Sequence, residues 1–140
     1  LARIDPEADQ YRGFNLLIGD AAGYFYYSNR AREVIKLSLG AYGLSNQLLD
    51  CDWPKVVDGT TSLAALVDGD AATEALFGLI GDAHGTGQPF SAPFISSAEY
   101  GTCASTVLTV SKQGEVQFEE RSFTVGGKRG ASVAFNFTVS

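Results

Sequence analysis

The amino-acid sequence predicts an α+β fold in which an antiparallel sheet is combined with a pair of helices. Short apolar runs separated by glycine-rich turns occupy the first third of the chain, and two segments with helical spacing follow. The last third alternates with a period of two, as half-buried strands do. Sixteen glycines among 140 residues indicate many turns, which favours a strand-rich or mixed fold over a helical bundle.

The first third predicts an antiparallel strand pair. Residues 14–18 and 24–27 are apolar runs, and Gly19, Asp20 and Gly23 between them indicate a turn around residues 20–23. Residues 42–46 follow as a brief strand or strand end. Residues 1–11 mix apolar and charged side chains and are expected to form the tail of a helix or a linker.

Two helices are predicted in the middle of the chain. Asp52 is the expected N-cap of the first, with Pro54 in its first turn, where a missing N–H costs nothing. Gly59 disfavours this helix by about 1 kcal/mol relative to alanine. Asp70 is expected to cap the second helix, which ends at Gly81. The residues at helical spacing are Val56, Thr60, Leu63 and Val67 in the first helix, and Ala72, Leu76, Leu79 and Ile80 in the second.

The last third predicts three strands. Residues 106–110 form a β-branched run, and Gln113 and Gly114 form a tight turn. Residues 116–123 alternate in polarity, with the apolar face switching near Arg121. A loop over residues 126–130 leads to the alternating segment 133–139.

Composition limits the partners that we expect. The net charge of −6, with its ten basic residues scattered, argues against a nucleic-acid-binding surface. No apolar run approaches the ~20 residues that a membrane span requires. Cys51 and Cys103 form neither a disulfide framework nor a metal-ligand spacing, so we expect no metal site and a cytoplasmic location.

Two polar side chains are candidates for chemistry. His84, the single histidine, lies in a glycine-rich loop away from any serine or cysteine, which favours a solvated loop residue over a catalytic base. Asn46 follows a glycine-containing turn and could aim its amide at a developing oxyanion. The alternative is that Asn46 closes its own turn, as asparagines often do.

A series of short motifs spans nearly the whole chain. It resembles, in order, the NRDE family, which is also called the transport and Golgi organization protein family. The motifs are GFNLL at 13–17, YYSNR at 26–30, YGLSN at 42–46, LLD at 48–50, WPK at 53–55, YGT at 100–102, STV at 105–107 and ERSF at 120–123.

The resemblance implies both a fold and an activity. Residues 1–140 would be the C-terminal portion of a single NRDE-type domain whose N-terminal half lies upstream, and the fold would be half of an N-terminal-nucleophile-hydrolase-like αββα sandwich. The activity implied is an amide or thioester hydrolase with an upstream N-terminal cysteine as nucleophile. Asn46 would be the catalytic oxyanion donor. The residues expected to line the pocket for an apolar or acyl small molecule are Asn29, Arg30, Tyr42, Ser45 and Cys103.

Two alternatives stay open at this point. The resemblance also implies a non-catalytic carrier of haem or another apolar ligand, linked to trafficking or secretory homeostasis; no other cofactor is implied. A scaffold with no small-molecule role is the third reading. Cys103 stands where the family usually has an arginine, and a neutral thiol cannot supply that charge, which leaves Arg30 as its candidate source.

Overall fold

A computed structural model describes residues 3–20, 22–67, 72–85 and 91–139. The chain divides into two compact units, Leu1–Thr60 and Thr61–Ser140, and the division falls inside helix α1 (Pro54–Val67). Each unit contains one three-stranded antiparallel sheet. The α+β class is therefore confirmed, with two separate three-stranded sheets where the sequence predicted one sheet.

The first sheet is a meander with the order β1-β2-β3. It consists of β1 (Asn15–Asp20), β2 (Gly23–Ser28) and β3 (Glu33–Leu37), preceded by a 3₁₀ helix at Asp5–Gln10. The predicted hairpin around 20–23 is confirmed, because Asp20 pairs with Gly23 at its end. Strand β3 was not predicted, because it is only five residues long and has charged residues at its first and fourth positions.

The region after β3 leads into the helices. The predicted brief strand at 42–46 is reduced to an isolated bridge between Leu44 and Leu49. Helix α1 is continuous through Gly59. The carbonyl of Trp53 accepts the N–H groups of Val56 and Val57, so Trp53, and not the predicted Asp52, precedes the first helical residue.

The second unit continues with helix α2 and a three-stranded meander. Helix α2 (Thr73–Ile80) ends at Gly81 as predicted, whereas the predicted cap Asp70 lies outside the described residues. The sheet has the order β4-β5-β6, formed by β4 (Ala104–Val110), β5 (Glu115–Thr124) and β6 (Lys128–Thr138). The predicted loop at 126–130 is wrong in part, because Lys128 already pairs with Thr124 in the sheet.

The predicted change of face near Arg121 is confirmed as a register irregularity between Arg121 and Phe123. On one face of this sheet, Arg121 and Val107 are buried, and helix α2 packs against β4. The opposite face is largely exposed. Its apolar cross-strand rows are Leu108, Phe118 and Phe135, and Val110, Val116 and Phe137; of these six, Val116 is buried.

Candidate functional site

The segment carrying Asn46 is a closed loop, Gly43–Asp50, which we call the Asn46 loop. Its two ends are joined by the Asp50 N–H to the Gly43 carbonyl (2.7 Å) and by the Gly43 N–H to the Asp50 carboxylate (2.8 Å). Asp50 holds a left-handed backbone conformation, with φ of 49°, which the closure requires. A side chain at Gly43 would collide with Val56 and Thr60, so the loop lies close against the start of α1.

Two residues of the first sheet bind the Asn46 loop through hydrogen bonds. The Asn15 amide donates to the carbonyls of Ser45 (3.2 Å) and Gln47 (3.3 Å). The buried Tyr26 hydroxyl donates to the Asn15 side-chain oxygen (2.7 Å) and accepts the Leu49 N–H (3.2 Å). Sequence reasoning missed both residues. The available signal was Asn15 itself, a polar residue that interrupts an apolar run next to a strand.

Arg30 and Asn46 are brought together by this loop. The Arg30 Nη1 donates to the Asn46 backbone carbonyl at 2.8 Å, and the Arg30 guanidinium lies against Gly13, where any Cβ would collide with it. The Asn46 side chain is exposed and makes no hydrogen bond to a described residue. The backbone of Asn46 is therefore fixed while its amide stays available to donate to a ligand.

Ser45 has a structural role in the loop. Its hydroxyl accepts the Gln47 N–H at 3.1 Å and lies 3.2 Å from the half-buried Cys51 Sγ. The Ser45 side chain therefore closes the turn that presents Asn46.

Tyr42 lines a small cavity beside β3. Its hydroxyl donates to the Ser38 carbonyl and accepts the Ser38 N–H, both at 3.1 Å. The cavity holds about 330 Å³. Its apolar wall is formed by Tyr26, Ile35, Leu37, Leu48 and Leu49, with Glu33, Lys36 and Asp50 also contributing. Of the predicted pocket residues, Tyr42 is the one that lines this cavity.

Asn29 serves the fold of the first unit. Its side-chain oxygen accepts the Phe14 N–H at 2.7 Å, and its amide donates to the carbonyls of Ala8 (3.1 Å) and Arg12 (3.2 Å). All three hydrogen bonds tie together segments that are distant in sequence. With both amide and carbonyl engaged, this side chain has little capacity left for a ligand.

Cys103 lies in the unit 61–140, whereas the other five predicted site residues lie in 1–60. Its thiol is exposed and contacts the Gly101 carbonyl at 3.6 Å, just before β4. The expectation that Cys103 shares a pocket with Asn46 stays a prediction.

Two charge clusters stabilise the units around these sites. Hydrogen bonds from Tyr27 and Arg32 lower the pKa of Asp5, and the Asp5 carboxylate in turn raises the pKa of the buried Tyr27. In the second unit, the buried Arg121 bonds to Glu74 and Glu119 and stacks 3.5 Å over the Phe77 ring. The hydrogen bond from Arg121 lowers the pKa of Glu74.

His84 lies at the edge of a groove of about 800 Å³ between α1 and α2. Its Nδ1 is 2.7 Å from the Asp82 carboxylate, and its side chain is almost fully exposed. Hydrogen bonds from the His84 backbone and side chain lower the pKa of Asp82, so the carboxylate is ionised and orients the imidazole. His84 is thus a solvated loop residue, as the sequence predicted, but one with a defined partner.

The described ranges contain no group of three or more His, Cys, Asp or Glu side chains arranged to hold a metal ion. None of the helices that the structure describes has the length and apolar character needed to cross a bilayer.

Known proteins resemble this chain over most of its length. The family described as Transport and Golgi organisation 2 matches residues 1–125. A bovine Transport and Golgi organization protein 2 homolog is 30% identical over an alignment covering 87% of this chain and 55% of that protein. The mouse and human homologs are 28% and 29% identical over the same shares. The chain thus spans about half the length of the curated relatives it matches.

Proposed function

The chain belongs to the Transport and Golgi organisation 2 family, and on that premise we propose that it acts in transport and Golgi organisation through a ligand site at the Asn46 loop. The activity that we propose there is hydrolysis of an amide or thioester. The observation that carries this proposal is the state of Asn46: its carbonyl is fixed by Arg30 at 2.8 Å while its amide is exposed and unpaired among the described residues.

Such an arrangement suits an oxyanion donor. Electrostatic stabilisation of a transition state is effective when the donor is positioned beforehand and does not reorganise during the reaction. Asn15 binds the loop from the first sheet and is itself bound by Tyr26, and the Arg30 guanidinium donates to the Asn46 carbonyl. Arg30 is therefore a positioning residue in this proposal, because its guanidinium is engaged by the Asn46 carbonyl.

The proposed chemistry uses a nucleophile outside this chain. In family members the resemblance places a cysteine at the mature N-terminus, upstream of these residues. Its thiolate would add to the acyl carbon, and the Asn46 amide would donate to the oxygen that becomes negative. The α-amino group of that cysteine would take the thiol proton and pass it to the amine or thiol that leaves when the intermediate collapses. Water would then add to the thioester and release the acid and the free cysteine. The two antiparallel sheets and the helix pair support the αββα sandwich of this class of hydrolase as part of the proposal.

The test compares two neighbouring amides. Asn46→Ala in the intact protein should lower the rate of acyl-enzyme formation with activated thioesters by about 10²–10³-fold, the usual loss when one oxyanion donor is removed. Gln47→Ala is the matched control, because Gln47 is also exposed in the loop and engages its neighbours through its backbone. Equal rates for the two variants, or no acylation of the unmodified protein, would refute the hydrolase proposal.

A specific observation favours a second candidate, a carrier of haem or another apolar ligand. The groove between α1 and α2 has an apolar wall that includes Leu66 and Leu79, with His84 at its edge. Because Asp82 engages Nδ1, the His84 Nε2 is left as an available ligand atom. Haem, if bound there, would supply an iron that accepts this nitrogen.

The carrier proposal has its own test. A haem titration should give a saturable Soret shift that His84→Ala abolishes and Asp82→Asn weakens, while Asn46→Ala leaves it unchanged. A shift that survives His84→Ala would place haem elsewhere and end this assignment.

A further inference from the structure

Another apolar groove lies in the first unit, and none of the residues that line it belongs to the Asn46 loop. It has a volume of about 590 Å³ and lies between the 3₁₀ helix and the start of β1. Its apolar wall is formed by Ile4, Tyr11, Phe14 and Leu16. Arg3, Glu7 and Arg12 are its charged residues, so the three together carry one net positive charge.

The wall of this groove is preformed. Phe14 packs against the buried Tyr27 with ring centroids 5.9 Å apart, and Tyr11 meets Phe14 edge to face at 6.3 Å. The Asn29 side chain connects the two segments that line the groove. Its amide donates to the Ala8 carbonyl in the 3₁₀ helix and to the Arg12 carbonyl, and its oxygen accepts the Phe14 N–H. A groove whose walls are already fixed loses little entropy on binding.

The two arginines at the groove are available to a ligand. Neither guanidinium has a hydrogen bond or ion pair with a residue in the described ranges, and both residues are exposed. The nearby acids are engaged elsewhere: Asp5 and Asp9 both pair with Arg32. Glu7 is the remaining acid at the groove, so Arg3 and Arg12 are left in excess.

From these observations we infer that the groove binds a single-chain amphiphile with an anionic head. The alkyl chain lies along Ile4, Phe14 and Leu16, and Arg3 and Arg12 bind the carboxylate or phosphate. Arginine suits both heads because its planar guanidinium can donate two parallel hydrogen bonds to either. The site uses no residue of the Asn46 loop and does not depend on the function proposed for it.

The first test is a series of alkyl carboxylates from octanoate to dodecanoate, titrated into the intact protein by calorimetry below their micelle concentrations. Affinity should rise about fourfold with each added methylene until the groove is full. Dodecyl phosphate should also bind, because it presents the same chain on an anionic head, and failure of both dodecanoate and dodecyl phosphate to bind would overturn the proposal. Dodecyltrimethylammonium carries the same chain on a cationic head and should bind at least tenfold more weakly; equal binding of the cation would overturn the assignment.

The second test locates the site. The double variant Arg3→Gln/Arg12→Gln should weaken dodecanoate binding roughly three- to tenfold, as expected for two exposed charge contacts. Lys128→Gln/Arg129→Gln removes the same charge from the other unit and should have no effect, and neither should Asn46→Ala. If both double variants weaken binding equally, the effect is one of net charge and the groove is not the site. Thermal melts would confirm that the exposed substitutions leave the fold intact.

Discussion

Replacing Asn29 with alanine tests whether this side chain is a structural clamp. The substitution removes the acceptor for the Phe14 N–H and the donor to the Ala8 and Arg12 carbonyls. A hydrogen bond contributes about 0.5–1.5 kcal/mol net, and exposed ones lie at the low end. Two of these bonds are partly buried and one is exposed. We therefore expect Asn29→Ala to lower the free energy of unfolding by about 2–3 kcal/mol.

Asn29→Asp sharpens the test through its pH dependence. The introduced carboxylate can still accept the Phe14 N–H, but its second oxygen faces the Ala8 and Arg12 carbonyl oxygens. Protonation turns that oxygen into a donor, so the folded state raises the pKa of the introduced carboxyl above its unfolded value of about 3.9. The stability that the proton provides is therefore complete below the unfolded pKa and is lost as pH rises through the folded pKa.

Urea denaturation of the unmodified protein and both variants at pH 4 and pH 7 provides the measurement. Trp53, the one tryptophan in these 140 residues, reports on the first unit by fluorescence, and amide exchange at Phe14 reports on the clamp itself. Asn136→Ala, an exposed position in β6, is the matched control and should change stability by less than about 0.5 kcal/mol. The reasoning fails if Asn29→Ala matches this control, or if Asn29→Asp shows the same deficit at both pH values.

Three further substitutions test other parts of the structure. Tyr26→Phe removes the hydroxyl that binds Asn15 and the Leu49 N–H, and should cost about 1–3 kcal/mol in chemical denaturation; an unchanged midpoint would contradict the anchoring role. Gly114→Ala places a side chain at φ of 79° and against the carbonyl that follows β6, so its unfolding free energy should fall by about 1–3 kcal/mol; a neutral result would mean that the turn relaxes freely. Glu74→Gln removes the carboxylate whose pKa is lowered by its hydrogen bond from Arg121, so the melting temperature should fall near neutral pH. That difference should shrink as pH falls through the folded pKa of Glu74, and a gap that persists in acid would rule out the ion pair as its cause.

Local patterns were sufficient to predict most of the secondary structure. The alternation at 133–139 and the change of face at Arg121 are properties of neighbouring residues, so they appear in the sequence and recur in β6 and in the bulge of β5. Strand β3 could not be predicted in this way. Its five residues lack a clean alternation, and it is held as a strand by pairing with β2 over its whole length.

The site was predicted less completely, because its residues are distant in sequence and come into contact only in the folded chain. Asn29 and Arg30 were expected to line a pocket, but each is engaged by backbone groups 15 or more residues away. Asn15 and Tyr26 act on the Asn46 loop from more than 20 residues away. No periodicity or spacing encodes such contacts. The assignment of Asn46 as an oxyanion donor stays a prediction.

The meander order of both sheets has a consequence for the speed of folding. Within each sheet, strands that follow one another in sequence are paired, and β4, β5 and β6 are joined by connections of a few residues. Closing such short loops costs little entropy, and a hairpin forms in about 1–10 μs. Synthesis adds roughly 5–20 residues per second, so the ribosome needs on the order of a second to make the eleven residues of β6. Within each sheet, a strand therefore pairs with the preceding one much faster than the ribosome can deliver the next strand.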